Sequence, residues 1–260
     1  MLIPEQTIDG RFLGRLNPAT TVHLKRIITE KSIKKIIEIG SFTGMGSTRL
    51  FSEYCDEIVC IDNFCEKETF EILLDNKIEK FNQLELFNLV TKNNKKIKIF
   101  NMSSDSAHKL LQDNYYDAVF IDGSHYYQNV FNDIVNYYYK TKSAKDRNGG
   151  GLIFGDDCQG YLSEFNNNFI VNNLDQSCID IQKFKYSQIH PGSIMAIHDL
   201  LKYVKFEKKK ITDNKNDYGY SWLWQYQRSY LSDLNFEFRK KLVKFYMKSN
   251  NNFRNKYLKF

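Results

Sequence analysis

Lys35-Ile-Ile-Glu-Ile-Gly40-Ser-Phe-Thr-Gly44-Met-Gly46 decides the fold. A short β-branched run that ends at glycine is how a buried parallel strand stops before its loop. Ser47 to Tyr54 then reads as a helix, and Glu57-Ile-Val-Cys-Ile-Asp62 as a second strand, so a strand-loop-helix-strand unit closes between residues 35 and 62. A right-handed crossover is expected for such a unit.

The same alternation extends in both directions. Upstream, Asn17 and Pro18 supply an N-cap and an N1 proline for a helix ending near Lys31, with Val22, Leu24, Ile27 and Ile28 on one side. Downstream come a helix-like stretch (Thr69 to Leu89), a strand (Ile97 to Met102), a helix (Ser106 to Gln112) and a strand (Asp117 to Asp122). A helix (Asn129 to Tyr139) and a strand (Gly151 to Gly155) follow. Alternating strands and helices predict a doubly wound, mostly parallel α/β sheet with both faces covered.

Gln159 to Ile189 is polar, Asn-rich and too long for an ordinary connection, so it reads as an insertion over an active site. From His190-Pro191-Gly192 the pattern is helical through Tyr203. Two extended segments around the Asp213 to Asp217 turn then predict an antiparallel hairpin, the second marked by Tyr218, Tyr220, Trp222, Trp224 and Tyr226 at period two. The expected organisation is one domain over 1–228, with an N-terminal helical segment at 1–32, followed by a basic, aromatic helical tail over 229–260.

Composition excludes several classes. With 42% hydrophobic and 15% aromatic residues the chain can build a core, and it has no apolar run long enough to span a bilayer. The N-terminus lacks an export or organelle pattern, so a soluble, cytoplasmic protein is expected. Cys55, Cys60, Cys65, Cys158 and Cys178 contain no CxxC pair and predict reduced thiols. The net charge of +6 is concentrated late, at Lys208, Lys209, Lys210, Arg239, Lys240, Lys241, Lys244 and Lys248. This is either a solvated helix face or a surface for an anionic partner.

The glycines of the first loop follow G-x3-G-x-G rather than the G-x-G-x-x-G that seats a dinucleotide pyrophosphate, which removes the main support for an NAD or FAD enzyme. Asp62 ends the second strand, where a carboxylate can accept hydrogen bonds from both hydroxyls of a ribose. Glu38 can hold the turn or reach an ammonium group. Here the chain resembles the class I methyltransferases, whose E-x-G-x-x-x-G loop and strand-two acid bind S-adenosylmethionine. The resemblance implies cofactor contacts from Glu38, Gly40, Ser41, Gly44, Gly46 and Asp62, with Asp122 beside them. Related enzymes carry a G-D-S-type turn near the adenine, which maps onto Asp105 and Ser106, although Ser104 replaces the glycine. A helix-capping role for Ser104 or Asp105 stands beside that reading.

Two further strand ends carry acids. Phe120-Ile-Asp-Gly-Ser-His-Tyr126 follows the fourth strand, and Gly150-Gly-Leu-Ile-Phe-Gly-Asp-Asp157 covers the fifth. In a doubly wound sheet these ends are neighbours, so Asp122, Asp156 and Asp157 would share a pocket with His125. Gathered carboxylates need a counter-charge, and an all-oxygen set suits Mg²⁺ or Mn²⁺. With His190-Pro-Gly and Trp222-Leu-Trp224, these motifs resemble the metal-dependent macrolide and aminocoumarin sugar O-methyltransferases. That resemblance implies a seven-stranded Rossmann-like methyltransferase sheet, Asp122, Asp156 and Asp157 as magnesium ligands, and Asp122 or His125 as the proton acceptor. It also implies a sugar or nucleotide-sugar hydroxyl as acceptor, and it is compatible with a homo-oligomer.

A nucleic-acid methyltransferase is disfavoured because neither a Pro-Cys dipeptide nor an N/D-P-P-Y motif occurs. The other alternative, a non-catalytic S-adenosylmethionine-binding interaction protein, would have no use for the acid cluster.

Overall fold

The computed structural model describes residues 3–14, 16–65, 67–145, 149–180, 188–207 and 222–249. The Asp213 to Asp217 turn, Tyr218, Tyr220, Lys208 to Lys210, residues 181–187 and the end of the tail lie outside the described residues. The chain divides into two compact units, 1–110 with 210–220 and 111–209 with 221–260.

In the first unit α1 (Pro18–Glu30) starts where the Asn17 side chain accepts a hydrogen bond from the Ala19 N–H at 2.8 Å, as its N-cap signature requires. β1 (Lys35–Ile39), α2 (Ser47–Tyr54) and β2 (Glu57–Asp62) then form the parallel unit, with Ile36 to Ile39 fully buried and Lys35 paired with Glu57.

The stretch expected to be helical from Thr69 is instead a hairpin, β3 (Thr69–Leu74) and β4 (Lys77–Asn82), ahead of α3 (Gln83–Thr91). The physical reason lies in its period. Phe70, Ile72 and Leu74 are buried while Glu71 and Leu73 face out, and Asp75 and Asn76 both take positive φ (46° and 65°), as a two-residue hairpin turn demands. Asn82 and Glu85 form a reciprocal capping box that starts α3. The hairpin packs Phe70, Ile72 and Leu74 with Leu13 and Leu86, and Phe42 and Met45 of the glycine loop lie against this cluster. β5 (Ile97–Asn101) pairs parallel to β2, and α4 (Ser104–Ala107) is one short turn.

In the second unit β6 (Ala118–Ile121) leads to α5 (Tyr127–Tyr137) and β7 (Leu152–Gly155), which runs parallel to β6. The expected insertion holds α6 (Asn167–Asn172) and the paired segments β8 (Ile179–Asp180) and β9 (Gln188–Ile189). α7 (Pro191–Leu200), β10 (Lys205–Phe206), β11 (Trp224–Gln227) and α8 (Tyr230–Ser249) follow. β11 is antiparallel to β7 and β10 to β11, so the C-terminal antiparallel pair is present. Among the described residues the main sheet has seven strands in the order β10-β11-β7-β6-β1-β2-β5, a mostly parallel Rossmann-like arrangement.

The tail helix is anchored. Phe236 stacks on Tyr138 with ring centroids 3.7 Å apart, and buried Arg228 grips Asp233 with two hydrogen bonds of 3.1 and 3.0 Å. Arg239 donates to the Asp199 carbonyl at 2.8 Å and Lys240 pairs with Glu237, so part of the late basic charge serves packing, whereas Lys241 and Lys244 are exposed. No helix of the described residues is long and apolar enough to cross a membrane.

Candidate functional site

The first unit presents the glycine loop at the end of β1. Asp62, at the end of β2, accepts hydrogen bonds from the Phe42 N–H through Oδ2 and the Phe64 N–H through Oδ1, each 2.9 Å. Burial raises its pKa and these backbone donors oppose the rise. The backbone N–H groups of Ser41 and Asn63 also bear on this carboxylate.

Glu38 is fully buried beneath the loop. Its Oε2 accepts from the hydroxyl of Thr48 in α2 and lies 3.4 Å from the Cys60 thiol, while Oε1 has no hydrogen-bond partner. Burial pushes this carboxyl up, against the hydroxyls of Ser47, Thr48 and Ser41. Of the two roles open to Glu38, holding the turn is the one these contacts describe. Ser41 is buried in the same place.

The glycines have protein-packing reasons. A Cβ on Gly44 would stand 3.1 Å from the Phe87 ring, and one on Gly46 would stand 2.4 Å from the Gly14 carbonyl oxygen. Thr43 tightens this contact by donating to the Leu13 carbonyl at 2.6 Å. Gly40 takes φ 88°, a left-handed turn directly after β1. Asp105 and Ser106 are exposed in α4, whose N-cap is Ser103 without a side-chain cap bond.

The second unit gathers a different group. Asp122 follows β6, and Asp156 and Asp157 follow β7. The Asp156 side chain accepts from the Asp157 N–H at 2.9 Å, and Asp157 itself sits at φ 59°. Asp157 Oδ2 lies 2.8 Å from His125 Nε2, and its Oδ1 lies 3.8 Å from Nδ1 of buried His190. His125 Nε2 is buried against this carboxylate.

The two imidazoles stand 4.5 Å apart between centroids. The His190 N–H donates to Gln159 Oε1 at 2.9 Å, which fixes the amide so that Gln159 Nε2 faces His190 Nδ1 at 2.8 Å. Burial pulls the His190 pKa down, against the pull of Asp157. For Asp157, burial pushes the carboxyl up, but the adjacent His125 and His190 outweigh it and hold it below 3.8.

Residues 37–158 match the family model described as a methyltransferase domain. The chain is 35% identical over 163 residues to an uncharacterised protein of Acanthamoeba polyphaga mimivirus, an alignment covering 61% of this chain and 65% of that relative. Two solved structures are similar in fold. The O-methyltransferase of Bacillus cereus in complex with SAH has TM-score 0.50 at 14% identity, covering 82% of this chain and 83% of that one. An O-methyltransferase candidate from Klebsiella pneumoniae has TM-score 0.50 at 11% identity, covering 83% and 82%.

The matched segment contains the glycine loop, Asp62, Asp122, His125, Asp156 and Asp157, while Gln159 and His190 lie beyond it. Among the described residues, the group of His, Cys, Asp and Glu side chains whose ligand atoms meet within 4.8 Å is His125, Asp157 and His190. Asp122 and Asp156 are not in that group. Two imidazoles and one carboxylate are not the all-oxygen set that magnesium favours.

Sequence reading named His190 as part of a motif without giving it a role. It missed Gln159 and Gly14 entirely. A histidine directly before Pro191, at the start of a helix, is the one local signal that His190 is held in place.

Proposed function

We propose that the chain is an S-adenosylmethionine-dependent O-methyltransferase acting on a hydroxyl of a small molecule, with a sugar or nucleotide-activated sugar as the acceptor class. The observation that carries the cofactor half is the glycine loop, inside the segment that matches a methyltransferase domain, pinned at Phe42 by Asp62. Glu38, Gly40, Ser41, Gly44 and Gly46 shape the loop in this reading, and Asp105, Ser106 and Asp122 complete the cofactor contacts.

A sulfonium methyl is already activated. What the enzyme must add is alignment of an oxygen and removal of its proton. Asp122 and His125, at the end of β6, are the candidate proton acceptors. Ligands of open α/β sheets bind outside the carboxyl ends of the strands, and both groups occupy such a position. Assistance by a divalent ion is part of the proposal. Magnesium or manganese held by Asp122, Asp156 and Asp157 is the form the family resemblance implies, whereas the described ligand atoms that meet are those of His125, Asp157 and His190.

The test is a panel of free and nucleotide-activated sugars assayed for S-adenosylhomocysteine release with and without added metal. Metal-dependent release with one acceptor class supports the proposal. Tight S-adenosylmethionine binding with no turnover on any hydroxylated acceptor would favour the non-catalytic interaction protein instead.

A further inference from the structure

We infer that His125, Asp157 and His190 form a mixed nitrogen and oxygen site for one first-row divalent transition ion, of the class of Mn²⁺, Fe²⁺, Co²⁺ or Zn²⁺, rather than for magnesium. The inference deepens the proposed methyl transfer by naming the class of ion at those strand ends, and it can be tested without any acceptor.

The first argument is distance. An ion about 2.1 Å from each ligand needs ligand atoms about 3–4 Å apart. The three side chains already offer atoms within 4.8 Å of one another, with His125 Nε2 and Asp157 Oδ2 at 2.8 Å and His190 Nδ1 and Asp157 Oδ1 at 3.8 Å.

The second is enclosure. His125 Nε2 is buried, His190 is buried, and both imidazoles face the one Asp157 carboxylate, so three potential ligand groups meet away from bulk water.

The third is orientation. Gln159, itself fixed by the His190 N–H, presents its amide N–H to His190 Nδ1, which marks that nitrogen as the one carrying a lone pair. An ion would take the lone pair in place of Gln159. His125 is held on its other side by Ser177, whose hydroxyl is 3.4 Å from Nδ1, the outer contact that commonly orients a ligating imidazole.

The donor set selects the ion. Imidazole suits borderline transition ions and adds nothing for magnesium, which favours oxygen and retains its water. The site also draws on α7, beyond the methyltransferase match, so a chain with only Asp122, Asp156 and Asp157 in common would lack it.

The full chain, stripped with chelator and dialysed, would be titrated with Co²⁺ under visible absorption and proton NMR, and with Zn²⁺ and Mg²⁺ by calorimetry. Expected are one equivalent of Co²⁺ with d–d bands, paramagnetically shifted imidazole N–H resonances from two histidines, displacement by Zn²⁺, and no displacement by millimolar Mg²⁺. His125→Gln and His190→Gln should each weaken Co²⁺ at least about 10-fold, whereas Asp122→Asn and Asp156→Asn should leave it unchanged. Co²⁺ bound no more tightly than Mg²⁺, or no shifted imidazole resonance in the parent protein, would overturn the site. So would loss of binding on Asp156→Asn with none on His190→Gln. The parent NMR result needs no variant to fold, and S-adenosylmethionine calorimetry on the same sample reports separately on the methyltransferase reading.

Discussion

Asp157 Oδ2 stands 2.8 Å from His125 Nε2, and the residue that places it there has φ 59°. The left-handed backbone aims the carboxylate at the imidazole. Asn and Asp accept this conformation more readily than other side chains, and a β-branched residue does not. Asp157→Asn should therefore stay within about 1 kcal/mol of the parent in urea denaturation, while Asp157→Val loses about 2 kcal/mol or more. In the proposed reaction Asp157→Asn should lower kcat on the order of 10²-fold, because charge at the metal position is lost without loss of the fold.

Asp62→Ala should weaken S-adenosylmethionine binding by about 1.5–3 kcal/mol in calorimetry, since it would remove the proposed charge-assisted hydrogen bonds to ribose and free the Phe42 N–H that shapes the loop. An unchanged dissociation constant would separate Asp62 from the cofactor.

Gly46→Ala tests a packing explanation. Its Cβ would meet the Gly14 carbonyl oxygen at 2.4 Å, with backbone on both sides of the contact. A stability loss of about 1–3 kcal/mol is expected by thermal unfolding. Unaltered stability with lost cofactor affinity would show that the glycine serves ligand approach instead.

Glu38 provides the pH prediction. Burial raises its folded pKa above the ordinary 4.5, so the folded state holds the proton more tightly than the unfolded chain. Its contribution to stability is present below the unfolded value and is lost as pH rises through the folded one. Urea midpoints should therefore carry a falling term above about pH 4.5, and Glu38→Gln should flatten that term. Identical slopes for parent and variant would mean that Glu38 keeps an ordinary pKa.

Chelation tests the metal directly. EDTA should abolish methyl transfer and leave S-adenosylmethionine bound, because none of the proposed cofactor contacts at the loop and Asp62 is a proposed metal ligand. Full turnover by metal-free protein would leave Asp122 or His125 as a metal-independent base.

The parallel unit from Lys35 to Asp62 was legible to the residue, because a β-branched run, a glycine stop and a helical repeat are contiguous features of the chain. Asp62 at a strand end and the paired acids after β7 followed from the same local logic. The hairpin β3–β4 was misread because its apolar residues fall close to helical spacing as well, and its turn, Asp75-Asn76, contains no glycine or proline.

What only the tertiary structure decided is which side chains meet. Periodicity says where a strand ends but not what a residue beyond it faces. His190 lies at the start of a helix after a long insertion, and only the packing of α7 beside α5 brings it next to His125 and Asp157. Gly46 likewise looks in sequence like a ligand-binding glycine, and its partner Gly14 becomes visible only when the N-terminal segment crosses the loop. Local chain chemistry determined the strands and the order of the site residues. Contacts between segments distant in sequence, which leave no periodic trace, determined the donor set.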